Sequence, residues 1–324
     1  ALALTMTFSL ANGMDVKAAE ITEDSLVAAE DTNVGNESVD IQQQEPVEIS
    51  ELETTENNDL SKSSESITVD ESIAEDILAT QADTAVVVGT VSDYLTAKGD
   101  AKLYNINLPA GVYLQAQLTT PANADLDYDL YLLDAEGNIL TGSDYYTYIN
   151  GTAGTLPEAL GYITSGDTAT YYLYVLASEG GSVSESFTLD YSVSTACDSY
   201  EIDESVRQAL AFTYGAGGAY IESRNLSSPI DNDWYVITVP SSRIYDKLKI
   251  SATTASTNTC SVEVYQNVAS EGYQMKRVGS GNTISVSSGK YYIRVSNAKT
   301  MENFDDLDIQ NYKLSITPIL KATG

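Results

Sequence analysis

Acidic side chains crowd two short segments in the second half of this 324-residue sequence. Glu201, Asp203 and Glu204 form the first group, and Asp231 and Asp233 form the second. Calcium takes about six to eight oxygen ligands from carboxylates, carbonyls and water, so both groups offer suitable ligands. Five carboxylates in one place would repel strongly without a cation. The groups therefore predict a calcium site if the segments meet, and solvated turn residues and caps if they do not.

A third acidic group follows a period of two. Asp125, Asp127 and Asp129 fall on one face of a predicted strand. Three carboxylates on one face are unfavourable unless they are exposed or bind a metal. We expect these three to be exposed, because no second acidic group obviously converges on them.

Tyrosine is frequent, at 23 residues, and three tyrosines stand close together outside the predicted strands. Tyr145, Tyr146 and Tyr148 lie in a predicted loop beside Asn150 and Gly151. Exposed tyrosine offers a rigid, amphipathic contact surface for protein or sugar. These residues are a candidate binding surface, and the alternative is that their rings cover a sheet edge.

The residue types of most catalytic sites are missing. The sequence contains no histidine, which excludes Ser-His-Asp, Cys-His and histidine–metal arrangements within it. No glycine-rich phosphate loop follows a strand and opens a helix. Acidic pairs are so numerous that no one pair identifies a glycosidase. We expect no enzymatic activity.

The net charge of −31 is concentrated before the predicted strands. Residues 21–80 carry 17 acidic side chains and one basic side chain, Lys62. Such a composition cannot bury enough apolar surface to offset chain entropy, so residues 20–82 are predicted to be a disordered acidic linker. Strong acidity also disfavours nucleic acid and anionic membrane surfaces as partners.

The apolar run of residues 1–10 and the small residues after it resemble the core and cleavage site of a signal peptide, which predicts a signal-peptide remnant over residues 1–19. We therefore expect a secreted or cell-surface bacterial protein that has no membrane contact after cleavage. The two cysteines, Cys197 and Cys260, fit an exported protein with one disulfide. The alternative is two free buried thiols.

From residue 83 onward, short β-branched and tyrosine-rich segments alternate with Gly, Asn and Pro turns, which indicates an all-β fold of β-sandwiches. The segment Tyr104 to Pro109 matches Tyr235 to Pro240, and Tyr171 to Val175 matches Tyr291 to Val295. The same order and similar spacing predict two tandem domains, over residues 83–195 and 196–320. Residues 201–212 are compatible with a short helix and equally with a strand.

These motifs resemble the bacterial pre-peptidase C-terminal domain. The likeness is carried by Asp198 to Ser205, Asp231 to Tyr235 and Gly289 to Val295 in the second copy, and by Leu108 to Gly111 and Asp125 to Leu132 in the first. The resemblance implies two jelly-roll-like, non-catalytic domains of an exported protein. Relatives such as the collagen-binding domains of clostridial collagenases bind calcium at the segment that corresponds to Asp198 to Ser205, which we call the entry segment. The resemblance also implies that the two acidic segments of the second copy lie side by side.

The expected function is therefore binding or adhesion outside the cell, with calcium as a stabilising ligand if the two acidic segments form a site and without it if their carboxylates are solvated. The predicted partner is an extracellular protein or polysaccharide surface. An accessory region of a secreted peptidase or other hydrolase, and a structural spacer, are the alternatives.

Overall fold

Strand formation follows from alternating apolar and polar side chains. In one strand Tyr104, Ile106 and Leu108 are buried, and the polar residues between them are more exposed. Alternate residues of a strand point to opposite faces, so this pattern places one apolar face on a core. The matching segment from Tyr235 to Val239 behaves in the same way.

The computed structural model describes residues 65–66, 86–123, 125–144, 148–149, 152–153, 156–195, 197–254, 260–268, 273, 275–298 and 310–321. All regular elements in these ranges are strands, as the sequence predicts. The strands up to residue 195 are β1 (Glu65–Ser66), β2 (Val86–Asp93), β3 (Ala101–Leu108), β4 (Tyr113–Thr119), β5 (Asp127–Leu133), β6 (Ile139–Ser143), β7 (Tyr148–Ile149), β8 (Thr152–Ala153), β9 (Glu158–Ile163), β10 (Ala169–Glu179) and β11 (Phe187–Ser194).

The strands after residue 196 are β12 (Leu210–Ala211), β13 (Ala219–Leu226), β14 (Asn232–Val239), β15 (Tyr245–Thr254), β16 (Ser261–Asn267), β17 (Met275–Ser280), β18 (Asn282–Ser285), β19 (Gly289–Ser296) and β20 (Gln310–Leu320). Within the described ranges, no helix has the length and apolar character that crossing a bilayer requires.

Four large sheets form two layered pairs. A five-stranded sheet β1-β3-β10-β5-β6 and a four-stranded sheet β2-β11-β4-β9 enclose one core, which we call the first sandwich. A five-stranded sheet β12-β14-β19-β16-β17 and a four-stranded sheet β13-β20-β15-β18 enclose another, the second sandwich. Strands β7 and β8 form a separate small hairpin.

The two sandwiches correspond strand for strand. Replacing β1 by β12, β3 by β14, β10 by β19, β5 by β16 and β6 by β17 converts one five-stranded order into the other. The short first strand is parallel to its neighbour in both cases, and it lies opposite Tyr104 in one and Tyr235 in the other. The repeated sequence segments lie in corresponding strands, and the division into two tandem domains stays a prediction. The domain limits at residues 83, 195 and 320 stay predictions.

Several predictions concern residues outside the described ranges. The signal-peptide remnant lies wholly outside them, and the acidic linker is described only at Glu65–Ser66, which pairs with β3. The ambiguous segment 201–212 contains no helix, and it ends in the two-residue strand β12. A turn joins β5 and β6: Asp134 accepts hydrogen bonds from the backbone of Glu136 and Asn138, and Gly137 has a positive φ of 84°.

Candidate metal centre

The acidic entry segment is held against the start of β14. The backbone N–H of Trp234 donates to the carbonyl of Asp203 at 3.0 Å, which sets Asp203 beside Asp233. Further along, Leu210 pairs in parallel with Tyr235. The chain from residue 201 to 211 therefore runs alongside β14, and this brings the two acidic segments of the sequence together.

The five predicted carboxylates meet in two overlapping groups. Within each group, one oxygen from every residue lies within 4.8 Å of the others. The Glu204 triad comprises Glu201, Glu204 and Asp231, and the Asp203 triad comprises Glu201, Asp203 and Asp233. Glu201 is half-buried and the other four are at most 1 % exposed. The structure thus assembles every candidate ligand, and whether they bind calcium stays a prediction.

The Asp203 triad already has a cation. Arg224 of β13 is fully buried, and its Nη2 lies 2.6 Å from Asp203 Oδ2 and 2.6 Å from Asp233 Oδ1. Its other guanidinium nitrogens bind Asp198 and the Tyr235 hydroxyl. A guanidinium presents several donors in a fixed plane, so it satisfies two carboxylates at once.

The Glu204 triad has no such partner, because the ion pairs among the described residues bring no cation to it. Glu204 Oε1 accepts hydrogen bonds from the Tyr113 hydroxyl and from Gln115 Nε2, each at 2.6 Å. Asp231 Oδ2 accepts from the backbone N–H and hydroxyl of Ser227. Within the described ranges no donor reaches Glu201 Oε1 or Asp231 Oδ1, although both atoms are buried.

Burial makes ionisation of these groups unfavourable. Burial, together with the charges of Asp231, Asp203 and Glu204, raises the pKa of Glu201 to about 12. Burial also raises the pKa of Glu204 well above its usual range, with Asp231 as the next cause. For Asp231 the pKa rises only to about 6, because the two hydrogen bonds from Ser227 oppose the effect of burial. A cation in the Glu204 triad would offset this cost directly.

This arrangement suits a structural cation better than a reactive one. Oxygen ligands and partial neutralisation match the preferences of calcium. Glu204 and Asp231 are at most 1 % exposed, so a substrate has no path to an ion held between them. The cluster can hold an ion and tie its segments together, which is a stabilising role.

Sequence reasoning missed three residues of this centre. Arg224 belongs to β13, where a bulge between Ile221 and Arg224 shifts the alternation and turns a charged residue inward. Tyr113 and Gln115 alternate with the core residues of β4, so they are on the outer face of the first sandwich. That outer face is also buried, and the sequence carries no signal for what covers it.

The expectation for Asp125, Asp127 and Asp129 is wrong in part. Asp125 is exposed, Asp127 is half-buried, and Asp129 is only 8 % exposed. Asp129 accepts hydrogen bonds from the hydroxyls of Ser178 and Tyr131. Burial raises the pKa of Asp127 to about 6 and that of Asp129 to about 7. Strand β10 pairs with β5 and brings Ser178 to Asp129, and pairing between distant strands is what the local sequence pattern does not reveal.

The predicted disulfide is not present. Cys197 and Cys260 are both free and half-buried. The charges of Asp198 and Asp231 act on the Cys197 thiol, whereas Cys260 packs against the core of the second sandwich. The two thiols therefore sit in different surroundings, which their positions in the sequence could not reveal. Of the tyrosine group, Tyr145 and Tyr146 lie outside the described residues, and Tyr148 begins β7.

No family model matches the sequence, and no curated protein matches it. Among solved structures, the alignment with PliG of Aeromonas hydrophila, a periplasmic inhibitor of g-type lysozyme, covers 40% of this chain and 96% of that one, at 11% identity and a TM-score of 0.23. The tandem CBM51 modules of a family 98 glycoside hydrolase from Streptococcus pneumoniae align over 71% and 84%, at 9% identity and a TM-score of 0.23. The CUB1-EGF-CUB2 domains of human MASP-1/3 align over 72% and 99%, at 10% identity and a TM-score of 0.21.

At such TM-scores these three structures support no conclusion about the present chain. The all-β class rests on its own strands and sheets. The resemblance to the pre-peptidase C-terminal domain stays a prediction.

Proposed function

We propose that this chain is an exported, non-catalytic binding protein that uses structural calcium and attaches to an extracellular protein or polysaccharide. The observation that carries the calcium assignment is the Glu204 triad: three carboxylates in a mostly buried place, with two unpartnered oxygens among the described residues. Unpaired buried charge is costly, and a divalent cation is the simplest group that removes the cost.

The non-catalytic assignment has two supports. The sequence has no histidine, and the acidic cluster is closed to substrate. The attachment role follows from the export signal predicted at residues 1–19 and from the tyrosines at 145, 146 and 148, which offer contact surface of the kind that binds protein or sugar.

The test is thermal unfolding of the full chain with calcium and with a chelator. A ligand that binds only the folded state raises the melting temperature. At a ligand concentration of a hundred times the dissociation constant, the free energy of unfolding increases by about 2.7 kcal/mol. We expect a clear rise with calcium that Asp231→Asn removes. Asparagine keeps an oxygen that can accept the Ser227 hydrogen bonds, so the variant is expected to fold.

The matched control is Asp167→Asn, at an exposed aspartate between β9 and β10. It should keep the full calcium response. An unchanged melting temperature at about 10 mM calcium, roughly tenfold above the weakest dissociation constants of extracellular calcium modules, would rule out the metal assignment. An equal response in Asp231→Asn and wild type would place the ion elsewhere.

A further inference from the structure

We propose that the calcium centre is a clamp between the two sandwiches, with the side-chain carbonyl of Gln115 as its ligand from the first sandwich. This inference rests on the proposed function, because it assigns an additional ligand and a consequence to the same ion. The ligands considered so far, Glu201, Glu204 and Asp231, all belong to the second half of the chain. Gln115 belongs to β4 of the first sandwich.

The outer face of β4 is directed at the acidic cluster. Leu114, Ala116 and Leu118 point into the core of the first sandwich, so Tyr113 and Gln115 point away from it. Both are buried, at 0 % and 1 % exposure, although they lie on the outside of their own sheet. They are covered by the entry segment of the second half, since both donate hydrogen bonds to Glu204.

Gln115 has an unused ligand atom at this place. Its Nε2 donates to Glu204 Oε1 at 2.6 Å, whereas no donor among the described residues reaches its Oε1. Leaving a buried amide oxygen without a partner costs about 1–3 kcal/mol. Amide carbonyls are common calcium ligands, and a cation beside Glu204 would satisfy this oxygen directly or after the amide rotates.

Three buried oxygens of this region have no hydrogen-bond donor in the described structure: Glu201 Oε1 and Asp231 Oδ1 belong to residues of the Glu204 triad, and Gln115 Oε1 belongs to a side chain that is hydrogen-bonded to Glu204. They come from three separate segments, namely β4, the entry segment and the turn before β14. Tyr113 adds a further sign of missing positive charge. Its single hydroxyl proton faces two carboxylates, Glu204 Oε1 at 2.6 Å and Glu201 Oε2 at 2.9 Å, and it can be donated to only one of them at a time.

The backbone of the first sandwich also approaches the cluster closely. Gly161 of β9 lies so near the entry segment that a Cβ there would be 2.9 Å from Glu204 Cγ and 2.9 Å from Ile202 Cγ2. A close approach of this kind requires glycine. An ion bound by Gln115 together with Glu204 and Asp231 would consequently fix the first sandwich against the second.

The experiment uses the full chain and two readouts. Calcium affinity is measured by titration calorimetry. The separation of the sandwiches is measured by double electron–electron resonance between two spin labels, attached at the exposed positions Thr168 and Lys249. Cys197 and Cys260 are replaced by serine so that only these two positions carry a label. In the labelled protein that keeps Gln115, Glu201, Glu204 and Asp231, we expect calcium to narrow the distribution of distances between the two spin labels.

Gln115→Leu removes the side-chain carbonyl, so we expect calcium affinity to fall about tenfold or more. At the calcium concentration that saturates the wild type, the distance distribution of this variant should not narrow. Gln117→Leu is the matched control, because Gln117 lies on the same face of β4 and its hydrogen bond in the described structure is accepted from Asn232 at 3.3 Å and does not involve a cluster carboxylate. It should bind calcium as the wild type does. Gln115→Glu keeps an oxygen ligand and should bind at least as tightly as the wild type; it also covers the case in which Gln115→Leu does not fold.

The outcomes separate the two proposals. The role of Gln115 is overturned if Gln115→Leu binds calcium as tightly as the wild type. It is also overturned if the calcium affinity of Gln115→Glu falls about tenfold or more. In both cases the proposed calcium binding itself stands. Calcium binding without any change in the distance distribution overturns the clamp. No calcium binding in the wild type overturns the proposed function and the clamp with it.

Discussion

At the scale of single residues, Arg224 is the counter-charge on which the second sandwich depends. Its guanidinium is fully buried, ion-paired with Asp198, Asp203 and Asp233, and it lies 5.1 Å from the ring centroid of Tyr200. Six carboxylates share this region with one guanidinium, which would leave five uncompensated negative charges if all were ionised. Arg224 therefore neutralises one side of the cluster, and no ion pair among the described residues brings a positive side chain to Glu204 or Asp231 on the other side.

Replacing Arg224 by methionine should be strongly destabilising. Methionine fills much of the volume but leaves three buried carboxylates without their partner, and breaking a buried ion pair from one side costs about 3–5 kcal/mol. The measurement is urea unfolding of the full chain in saturating calcium, with the change in free energy of unfolding as the result.

The matched control is Arg277→Met, since Arg277 is 41% exposed in its pair with Glu263 and an exposed pair contributes about 1 kcal/mol or less. A loss of less than about 1 kcal/mol in Arg224→Met would show that the buried carboxylates are protonated and need no cation.

The sequence identifies the acidic ligands but not the residues that complete their surroundings. The carboxylates of residues 201–204 and 231–233 are visible because acidic residues are dense there, and the family resemblance places the segments together. Arg224 becomes a core residue through a β-bulge, and Gln115 becomes buried through contact with the second half. Both effects depend on neighbours far away in the sequence, so no local pattern could predict them.

At the scale of elements, the outer side of β5 holds a buried carboxylate. Asp129 lies between β10, which supplies Ser178, and its own neighbour Tyr131. The hydroxyl donors lower the pKa of Asp129, but burial and the charges of Asp127 and Asp144 outweigh them and raise it to about 7. The folded state therefore holds a proton here under conditions in which the unfolded chain has lost it.

The stability of the first sandwich should fall as pH rises from about 4 to about 7. The pKa of Asp129 is higher in the folded state than its unfolded value of 3.8. Below pH 3.8 this carboxyl therefore does not change the free energy of unfolding, and as pH rises from there to the folded pKa it lowers the free energy of unfolding progressively. The full effect is on the order of 2–4 kcal/mol. We expect Asp129→Asn to flatten the dependence of the melting temperature on pH and to be more stable than wild type at pH 8, measured in chelator.

The comparison with wild type isolates Asp129 and its charge coupling to Asp127 and Asp144, because the carboxylates around Arg224 are unchanged in the variant. Asparagine retains an acceptor for Ser178 and Tyr131, so it does not leave them unpaired. Parallel curves for the two proteins between pH 4 and pH 8 would mean that Asp129 is ionised in the folded state at ordinary cost.

The elements themselves follow from the sequence more reliably than their surroundings do. Strands such as β3, β14 and β19 are predicted at nearly their observed positions, because alternation of apolar and polar residues indicates a strand with one buried face. Residues 201–212 have no such alternation, and their course is set by the hydrogen bonds to β14. The predicted exposure of Asp129 fails because a residue of a distant strand, Ser178 of β10, lies against it.

At the scale of the whole molecule, the two sandwiches are joined by more than a connecting segment. Besides the contacts of Tyr113 and Gln115, Arg207 pairs with Asp144 at 2.6 Å across the junction. An apolar cluster also spans it, in which Leu156 of the first half is buried among residues of the second half: Val206, Ala209, Trp234, Tyr265, Met275 and Tyr292. The sequence repeat predicts two units, but this junction shows that they are packed together.

Leu156→Ala tests whether the packed junction makes unfolding cooperative. Leu156 is 5 % exposed, and truncating a buried leucine costs about 2–5 kcal/mol. Because its contacts lie in the other half, the loss should weaken the coupling, so that calorimetry shows one transition for the wild type in calcium and a broadened or divided transition for the variant. Leu320→Ala, at a leucine that is 60% exposed, should change stability by no more than about 0.5 kcal/mol. A single, unshifted transition in Leu156→Ala would mean that the packing of Leu156 does not couple the two sandwiches.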